Sequence, residues 1–432
     1  MKMKVRNWGG NLSFTPAEIK YPKSENEIVE VIRKANAENR NIRIKGSGHS
    51  WTRLIPTDSI LISLDQYQGI ISIHKEKRLV TVKAGTKLKL LGQLLDSHGL
   101  AMENLGDIDV QSIAGALNTG THGTGTAFGT LSTQIAGLTL ITGNGEKIVC
   151  SETQNRGIFK AAQISLGALG IVSSYTLKCV PAYNLKYECK KETLEDCLQK
   201  LEAYNKENRH FEFYWFPHTN VVQTKIMNKT EEVKKENEIL KKFNDVVVDN
   251  GVFWLLSEFT RFFPGFSKYS SKISAWGVST GSYSDKSNLI FATTRMVKFT
   301  EMEFNIPREN FIPAIREIQE TISNHKIQVH FPLECRFVKE DDIMISPAHG
   351  RASAYIAAHM YKGMPYKAYF KLLEDILKKY GGRPHYGKLN TFSHEDFEKA
   401  YTNWGQFKKI RNQLDPKGIF LNDYLKGIFK IA

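Results

Sequence analysis

Apolar residues recur at helical spacing near the start of the chain and then give way to a short apolar run. The segment 24–38 opens with a serine, and its apolar positions share one helical face: Ile28, Val31, Ile32 and Ala35. Serine is a favoured N-cap because its hydroxyl accepts a hydrogen bond from a backbone N–H that has no partner within the helix. The pattern predicts an amphipathic helix over 24–38, followed by a strand over 41–44.

Shorter apolar runs farther along the chain predict strands between further helices. Residues 79–82 indicate a strand, and the leucines that follow predict a helix that Gly99 ends: Leu88, Leu91, Leu94 and Leu95. Two runs, 138–142 and 146–150, flank Gly-Asn-Gly and predict a β-hairpin. Strands that alternate with single helices and then form a hairpin indicate an α+β fold.

Pro181 marks a predicted domain boundary. Beyond it the sequence predicts a helix over 194–204, a strand over 211–216 and later alternating runs, which indicate a second α+β domain. A chain of 432 residues is also too long for one ordinary hydrophobic core. We therefore predict a first domain over 1–180 and a second over 181–388.

Residues 252–266 are dense in large apolar side chains and leave two interpretations open. Packing in the core or between domains is the simpler one. The alternative is an exposed patch that contacts a membrane surface or another partner, because contiguous exposed apolar area usually has one. We expect the first arrangement and no membrane contact.

The composition is that of a packed globular protein, with 41% apolar residues, 24 Phe and 17 Tyr. The net charge is +14, but the lysines are scattered, and the densest cluster, 231–238, alternates in sign as a solvated helix face does. Because no basic stripe is interleaved with aromatic residues, nucleic-acid binding is not expected. A field that favours a dianionic cofactor explains the charge more simply.

The cysteines are odd in number and form no Cys-x-x-Cys pair: Cys150, Cys179, Cys189, Cys197 and Cys335. Neither a disulfide framework nor a metal site is expected, and a reducing compartment is predicted. The amino terminus lacks the apolar core of a secretory signal, and no apolar stretch reaches the ~20 residues that span a bilayer. We expect a soluble, cytoplasmic monomer.

His49 is the most informative single residue, in the sequence Ile-Lys-Gly-Ser-Gly-His-Ser-Trp over 44–51. Gly46 and Gly48 tolerate positive φ, so the backbone can come close to a large anionic ligand. The imidazole could then be a general base, a metal ligand or a nucleophile that forms a covalent bond to a cofactor. A structural turn histidine is the alternative.

A second glycine-rich segment, 111–125, reads Gln-Ser-Ile-Ala-Gly-Ala-Leu-Asn-Thr-Gly-Thr-His-Gly-Thr-Gly. Its uncrowded N–H groups and hydroxyls are the donors that a pyrophosphate needs. The spacing does not match a nicotinamide-type Rossmann fingerprint, because Gly129 comes one residue too late after Gly123 and Gly125. No glycine precedes Lys-Ser or Lys-Thr in the frame of a Walker loop.

The two glycine segments resemble the PCMH-type FAD-binding domain of the vanillyl-alcohol oxidase superfamily, especially its sugar-1,4-lactone oxidase and alditol oxidase branch. The resemblance implies a covalent bond between His49 and the C8 methyl of the flavin, and an adenine end near Ile171 and Val172. It further implies cofactor contacts from Gly46, Ser47, Gly48, Ser50, Ser112, Gly115, Thr119, Gly120, Thr121, His122 and Gly123. The tail, 389–432, also resembles that of the branch and is expected to pack on the first domain.

The pair Glu334 and Arg336 is the main candidate for the reaction itself. On a strand the two side chains share one face, so the carboxylate can orient a guanidinium that stabilises a developing alkoxide. From spacing alone, a structural pair, such as a surface salt bridge of little energetic value, is the favoured interpretation. In the branch that the chain resembles, a Glu-x-Arg pair contacts the reacting hydroxyls, which favours the catalytic role.

Three further catalytic candidates follow from the resemblance. His359 matches a substrate-side histidine, with a core histidine that has one backbone partner as the alternative. Lys388 lies in Arg-Pro-His-Tyr-Gly-Lys, which resembles the His-Trp-x-Lys motif of the branch with Tyr386 in place of tryptophan. An ammonium there could stabilise anionic reduced flavin or the alkoxide. Ser112 could bond a substrate hydroxyl or a flavin carbonyl.

The resemblance thus implies an FAD-dependent oxidoreductase in which a cap domain, 181–388, covers the substrate. We expect hydride transfer from a CH–OH group of a sugar-1,4-lactone to flavin N5, with reoxidation by O2 to hydrogen peroxide. An alditol oxidised at C1, or a dehydrogenase with another acceptor, is the alternative among enzymes. A non-catalytic flavin or nucleotide carrier, or a basic surface-binding protein, is the alternative outside them.

Overall fold

A computed structural model describes residues 3–232, 251–293 and 297–431. Most of the predicted charged helix face at 231–238 lies outside these residues. The first part of the chain contains a small parallel sheet in the order β3-β5-β4, preceded by a two-stranded ribbon of β1 and β2. These strands are β1 Val5–Arg6, β2 Ser13–Phe14, β3 Glu18–Lys20, β4 Ile42–Lys45 and β5 Ile60–Ser63. Helix α1, Glu25–Ala37, connects β3 to β4 and is capped by Ser24, as predicted.

A five-stranded antiparallel sheet follows, in the order β10-β9-β11-β7-β6. Its strands are β6 Ile70–His74, β7 Leu79–Lys83, β9 Ile135–Ile141, β10 Lys147–Ser151 and β11 Ile171–Lys178, and a short ladder joins β8 Leu100–Ala101 to β12 Val180–Pro181. The helices of this part are α2 Leu88–Ser97, α3 Ile113–Asn118 and α4 Arg156–Ala162. The antiparallel pairing of β9 with β10 confirms the predicted hairpin.

The second part of the chain is built on an eight-stranded antiparallel sheet in the order β16-β13-β15-β14-β18-β19-β17-β20. Its strands are β13 Asn184–Thr193, β14 His210–Trp215, β15 Val221–Thr230, β16 Gly281–Lys286, β17 Phe299–Pro307, β18 Leu333–Val338, β19 Ser353–Tyr361 and β20 Arg383–Pro384. Its helices are α5 Leu194–Gln199, α6 Leu201–Glu207, α7 Phe253–Phe262, α8 Ser267–Gly277, α9 Ser287–Phe291, α10 Phe311–Asn324 and α11 Lys367–Lys379. The predicted helix over 194–204 is thus two helices, broken at Lys200.

The two faces of the eight-stranded sheet differ sharply in chemistry. Side chains alternate along each strand, so residues paired across neighbouring strands share a face. One face is apolar, and Phe311 of α10 packs on Phe213 and Phe337 there. The other face carries Arg336 opposite Glu212, and it lies against the first part of the chain.

The carboxy-terminal segment returns to the first part of the chain. It contains α12 His394–Ala400, α13 Trp404–Leu414 and α14 Asp423–Phe429. The backbone N–H of Ile42, the first residue of β4, donates to the carbonyl of Ile419 at 2.7 Å. Buried Arg43 donates to the carbonyl of Phe420. These bonds fix the tail against the strand that leads into His49.

The aromatic segment 252–266 is mainly exposed, which contradicts the expectation that it packs in the core. Phe253 does pack inward, on Phe331 at 4.8 Å between ring centroids. Most of its large apolar neighbours on α7, however, face solvent. Among the described residues, no helix is both long enough and apolar enough to cross a membrane.

Candidate active site

An open groove runs through the first part of the chain between the two glycine-rich segments. Its walls come from the loop after β4, the start of α3 and the start of β11. Ten of the residues predicted to hold the cofactor line it: Gly46, Ser47, Gly48, His49, Ser50, Ser112, Gly115, Thr119, Ile171 and Val172. The sequence therefore pointed to one continuous cavity.

The glycines of the first loop have different physical reasons to be glycine. Gly48 has φ +75°, a conformation that L side chains rarely adopt, as predicted. Gly46 is not in that region, contrary to expectation. A Cβ there would instead lie 2.4 Å from the hydroxyl oxygen of Ser112. Ser112 is in turn fixed as the N-cap of α3, where its hydroxyl accepts from the N–H of Gly115 at 3.2 Å.

Four residues of the second glycine segment do not line the groove: Gly120, Thr121, His122 and Gly123. A Cβ on Gly123 would lie 2.3 Å from the carbonyl oxygen of Leu105, so this residue serves a close backbone crossing. The His122 ring is buried, stacks on Tyr355 at 3.6 Å and lies 3.0 Å from a carboxylate oxygen of Glu303. These contacts join the two parts of the chain.

His49 sits at the end of the groove that faces the second part of the chain. Its ring stacks on Trp8 at 5.5 Å between centroids, and its buried Nδ1 has no hydrogen-bond partner. Burial, followed by the positive charges of Lys388 and Lys87, lowers the pKa of His49 to about 4. The imidazole is therefore neutral at pH 7, the form that can act as a nucleophile.

Lys388 is held over the same end of the groove. The N–H of Trp51 donates to the carbonyl of Gly387 at 2.7 Å, which joins the His49 loop to the Lys388 loop. The ammonium lies 4.7 Å from the centre of the Trp51 ring and 2.5 Å from a carboxylate oxygen of Glu301. Burial alone would raise the pKa of Glu301, but Lys388 and His359 lower it to about 2.

His359 lies beside this pair, on β19. Its Nδ1 is 3.1 Å from the carbonyl oxygen of Pro332, and its Nε2 is 3.5 Å from Glu301. The single backbone partner is the arrangement expected of a core histidine. The nearby carboxylate of Glu301 is not expected of a core histidine. The geometry is therefore compatible with both a core role and a substrate-side role.

Arg336 is the centre of a second buried charge cluster on the polar face. Its Nη2 lies 2.5 Å from Glu334, its Nε lies 2.8 Å from Glu212, and it also forms an ion pair with Asp107 from the loop before α3. Neither nitrogen makes a hydrogen bond of regular geometry in these pairs. Glu334 and Arg336 are both buried, so the interpretation as a surface salt bridge is wrong.

The protonation of this cluster is set by burial and by its crowded carboxylates. Burial lowers the pKa of Arg336, but Asp107, Glu212 and Glu334 raise it well above the usual value. Burial raises the pKa of Glu212 to about 7, against the attraction of Arg336. The net charge of the cluster therefore changes near neutral pH.

Oxygen atoms of Asp107, Glu212 and Glu334 lie within 4.8 Å of one another, a spacing that could hold a metal ion. The guanidinium of Arg336 already pairs with all three carboxylates. A divalent cation would have to compete with this fixed positive charge. We therefore assign the three carboxylates to Arg336.

Sequence analysis missed four acidic residues: Asp107, Glu212, Glu301 and Glu303. Three of them carried a signal, because each stands in a strand sequence rich in large apolar residues: Glu212 in Phe-Glu-Phe, and Glu301 and Glu303 in Phe-Thr-Glu-Met-Glu-Phe. A carboxylate is rarely buried without a partner, so such a position predicts a buried cation nearby. Asp107 had no such signal in its loop.

Residues 16–151 match a family described as FAD binding domain, and residues 175–428 match the D-arabinono-1,4-lactone oxidase family. Over 422 residues the chain is 36% identical to an L-gulono-1,4-lactone dehydrogenase from Mycobacterium tuberculosis, which covers 98% of both proteins. The chain belongs to the sugar-1,4-lactone oxidase family. It is also 34% identical to the L-gulonolactone oxidase of Bos taurus, across 99% of this chain and 98% of that protein.

The fold of this chain also occurs in a solved structure of low sequence identity. A cholesterol oxidase from Brevibacterium sterolicum superposes with a TM-score of 0.84 over 99% of this chain and 97% of its own, at 17% identity. That likeness shows the fold alone. The family matches and the relatives make this chain an FAD-dependent oxidoreductase, which excludes the non-catalytic carrier.

The groove fits FAD in its donors and its charge. A side chain on Gly46 would fill the space beside Ser112, and His49, which lines the groove, has a buried Nδ1 without a hydrogen-bond partner. Lys45 lines the groove, and Lys87, paired with Asp65 at 2.6 Å, reaches the Ser47 hydroxyl at 3.0 Å. These cations favour a dianionic ligand.

Proposed function

We propose that this protein oxidises a CH–OH group of a sugar-1,4-lactone to a carbonyl, with FAD as hydride acceptor and O2 as final acceptor. One observation carries the proposal. Two cations, the buried Arg336 and the mostly buried Lys388, each pair with a carboxylate of the polar sheet face, and the charge of Lys388 acts on His49 in the groove. A polar, desolvated site of this kind suits a polyhydroxylated substrate and rejects an apolar one.

Bound FAD would supply the hydride acceptor at N5 and then pass two electrons to O2, which with two protons becomes hydrogen peroxide. The substrate carbon loses a hydride and its hydroxyl loses a proton, which leaves a carbonyl. Arg336 is proposed to stabilise the alkoxide that develops on that oxygen, and Glu334 to orient Arg336. Lys388, His359 and Ser112 are proposed to hold the other polar groups.

His49 is proposed to form a covalent bond to the C8 methyl of the flavin. The lowered pKa keeps its imidazole neutral and nucleophilic. The test is acid precipitation of purified protein, followed by an absorption spectrum of pellet and supernatant. Yellow colour in the wild-type pellet, with release of flavin from a His49→Ala variant, is the expected result. Flavin that stays with the His49→Ala pellet would sink the assignment.

The substrate class is tested by anaerobic mixing with a panel of aldono-1,4-lactones, the matching alditols and an aromatic alcohol. We expect flavin bleaching with at least one lactone and none with the aromatic alcohol. Bleaching by alditols alone would replace the lactone by the alternative of a polyol oxidised at C1. Failure of every sugar to bleach bound flavin would contradict the proposal.

The acceptor is proposed to be O2, and the relatives differ on this point. The Mycobacterium tuberculosis relative is called a dehydrogenase, and the Bos taurus relative an oxidase. The test compares reoxidation of substrate-reduced enzyme by air and by a quinone dye in stopped flow. Stoichiometric hydrogen peroxide and reoxidation by air within the turnover time support an oxidase. Turnover with the dye alone would make the protein a dehydrogenase.

We further propose that residues 1–180 bind the cofactor, that 181–388 cover the substrate and that 389–432 close on the first domain. All five cysteines are free and buried, which favours a reducing, cytoplasmic compartment. A monomer is proposed, and light scattering during gel filtration tests it. A mass twice that of the 49.1 kDa chain would contradict it.

A further inference from the structure

Helices α7 and α8 present a broad surface of exposed apolar side chains. Its members are Val252, Trp254, Leu255, Phe259, Phe262, Phe263, Phe266, Tyr269, Ile273 and Trp276. We call these ten residues the aromatic surface. Trp276 is 83% exposed and Phe262 is 68% exposed. A soluble protein rarely exposes so many large apolar groups together unless they meet a partner.

The aromatic surface is contiguous in its central part. The ring of Phe259 lies 5.1 Å from that of Phe263 and 5.5 Å from that of Phe266. Tyr269 continues the row, at 5.9 Å from Phe266. These rings touch one another across the turn between the two helices, so they form one patch rather than scattered residues.

Apart from the contact of Phe253, the inner faces of the same two helices are rich in buried hydroxyl groups. Ser257 lies 3.0 Å from Nε2 of His330, and Thr260 lies 2.6 Å from Ser270 between the helices. Ser267, Ser270 and Ser271 are all buried. A surface helix normally buries its apolar stripe and exposes its polar face. In α7 and α8, hydroxyl side chains face the protein and most aromatic side chains face solvent. The sequence of these helices therefore determines that the rings are exposed.

The charge around the aromatic surface is positive. Residues 251–277 contain three basic residues, Arg261, Lys268 and Lys272, and one acidic residue, Glu258. Glu258 is turned to Tyr361 and to Arg261, with which it pairs at 2.6 Å. Lys268 and Lys272 are exposed beside Tyr269 and Ile273. The whole chain carries a net charge of +14.

We propose that the aromatic surface binds the interface of an anionic lipid bilayer, with α7 and α8 lying on the membrane rather than crossing it. Aromatic rings favour the boundary between headgroups and acyl chains, and lysines beside them attract anionic lipids. A protein partner of matching shape would need to be acidic and apolar at once, whereas an anionic bilayer offers both by its nature. The proposal does not depend on which sugar is oxidised.

The aromatic surface is linked to the site through packed rings. Phe253, on the inner side of α7, packs on Phe331, and Phe331 lies 6.0 Å from Phe299. Phe299 contacts His359 at 4.9 Å, edge to face. A bilayer on the aromatic surface would therefore lie near the His359 end of the active site.

The test is flotation of the flavin-containing protein with phosphatidylcholine vesicles, with and without phosphatidylserine. We expect the protein to float with the anionic vesicles, to float less with the neutral ones and to dissociate as salt is raised. A double variant, Phe262→Ser with Trp276→Ser, should bind on the order of tenfold or more weakly. The control replaces two exposed apolar residues of the five-stranded sheet, Ile71→Ser with Val149→Ser, and should bind as the wild type does.

A charge variant, Lys268→Glu with Lys272→Glu, provides a second route that leaves every ring in place. It should lose the preference for phosphatidylserine while keeping a normal flavin spectrum. Absence of flotation with anionic vesicles would overturn the proposal. So would equal loss in the Ile71/Val149 control. A concentration-dependent dimer that the Phe262/Trp276 variant abolishes, without vesicle binding by the wild type, would assign the surface to a second copy of the chain.

Discussion

Replacement of Glu301 by glutamine should destabilise the protein by removing one half of a buried ion pair. Glu301 is almost fully buried, and the side chain of Lys388 is only 16% exposed. The variant keeps the size of the side chain but leaves the ammonium without its anion. Breaking a buried pair in this way usually costs more than the pair contributes, because the remaining charge stays desolvated.

The magnitude follows from the pKa of Glu301. Its fall from 4.5 to about 2 corresponds to roughly 3 kcal/mol at pH 7, at about 1.4 kcal/mol for each pKa unit. A pKa lowered by folding gives stability that is present above pH 4.5 and lost as the pH falls toward 2. The Glu301→Gln variant should therefore lose on the order of 3 kcal/mol near neutral pH, and its stability should depend less on pH below about 4.5.

The assay is urea unfolding of the flavin-containing protein, with Glu301→Gln, Lys388→Met and the double variant forming a double-mutant cycle. Coincident transitions by fluorescence and circular dichroism would establish two-state behaviour. We expect a coupling on the order of 2–3 kcal/mol. The matched control is the exposed pair Lys371–Asp375, also at 2.5 Å, whose coupling should stay below about 1 kcal/mol. A Glu301–Lys388 coupling no larger than this control would refute the reasoning.

Three further outcomes are expected. Arg336→Lys should slow flavin reduction at saturating substrate by a factor on the order of a hundred, measured by stopped flow. The reason is that the ammonium of lysine is a point charge and cannot reproduce the forked contacts of the guanidinium. An unchanged rate would mean that Arg336 is not part of the catalytic site. Gly46→Ala should lower the flavin content through its clash with Ser112, whereas Gly157→Ala, which meets nothing within 4 Å, should not. Equal flavin in both would contradict this. Glu212→Gln should gain stability relative to wild type as pH rises from 5 to 8, because the raised pKa makes the buried carboxylate costly only when ionised; a constant difference would rule out titration near 7.

Local sequence signals predicted the elements that local forces determine. The Ser24 cap, the β9–β10 hairpin and the glycine at 48 all appear in the structure because each depends on a few neighbouring residues. The prediction of one continuous helix over 194–204 was wrong, because nothing in its sequence indicates the break at Lys200. The prediction that residues 252–266 pack in the core was wrong. Hydrophobicity alone predicts burial, and the serines on the inner face of this region are a weaker sequence signal for which side is buried.

Only part of the candidate site could be predicted from the sequence, for a different reason. Groups on the groove come from motifs that are continuous in sequence, such as 46–50, and a motif of this kind can be recognised. The carboxylate partners of Arg336 and Lys388 come from three strands and a loop that meet only in three dimensions. Their pairing register cannot be read from spacing, although a lone carboxylate between apolar strand residues does indicate that a buried cation lies nearby.

The carboxylates that face Lys388 and Arg336 differ in how far their charge depends on pH. Lys388 faces Glu301, whose pKa is about 2, so this carboxylate stays ionised throughout the neutral range. Arg336 faces Glu212, whose pKa is about 7, so the charge beside it varies in the same range. Both clusters lie where the polar face of the eight-stranded sheet meets the first part of the chain, so water screens their charges only weakly. The paired carboxylates hold the two cations in place there, which is where we propose that the hydride donor and the flavin meet.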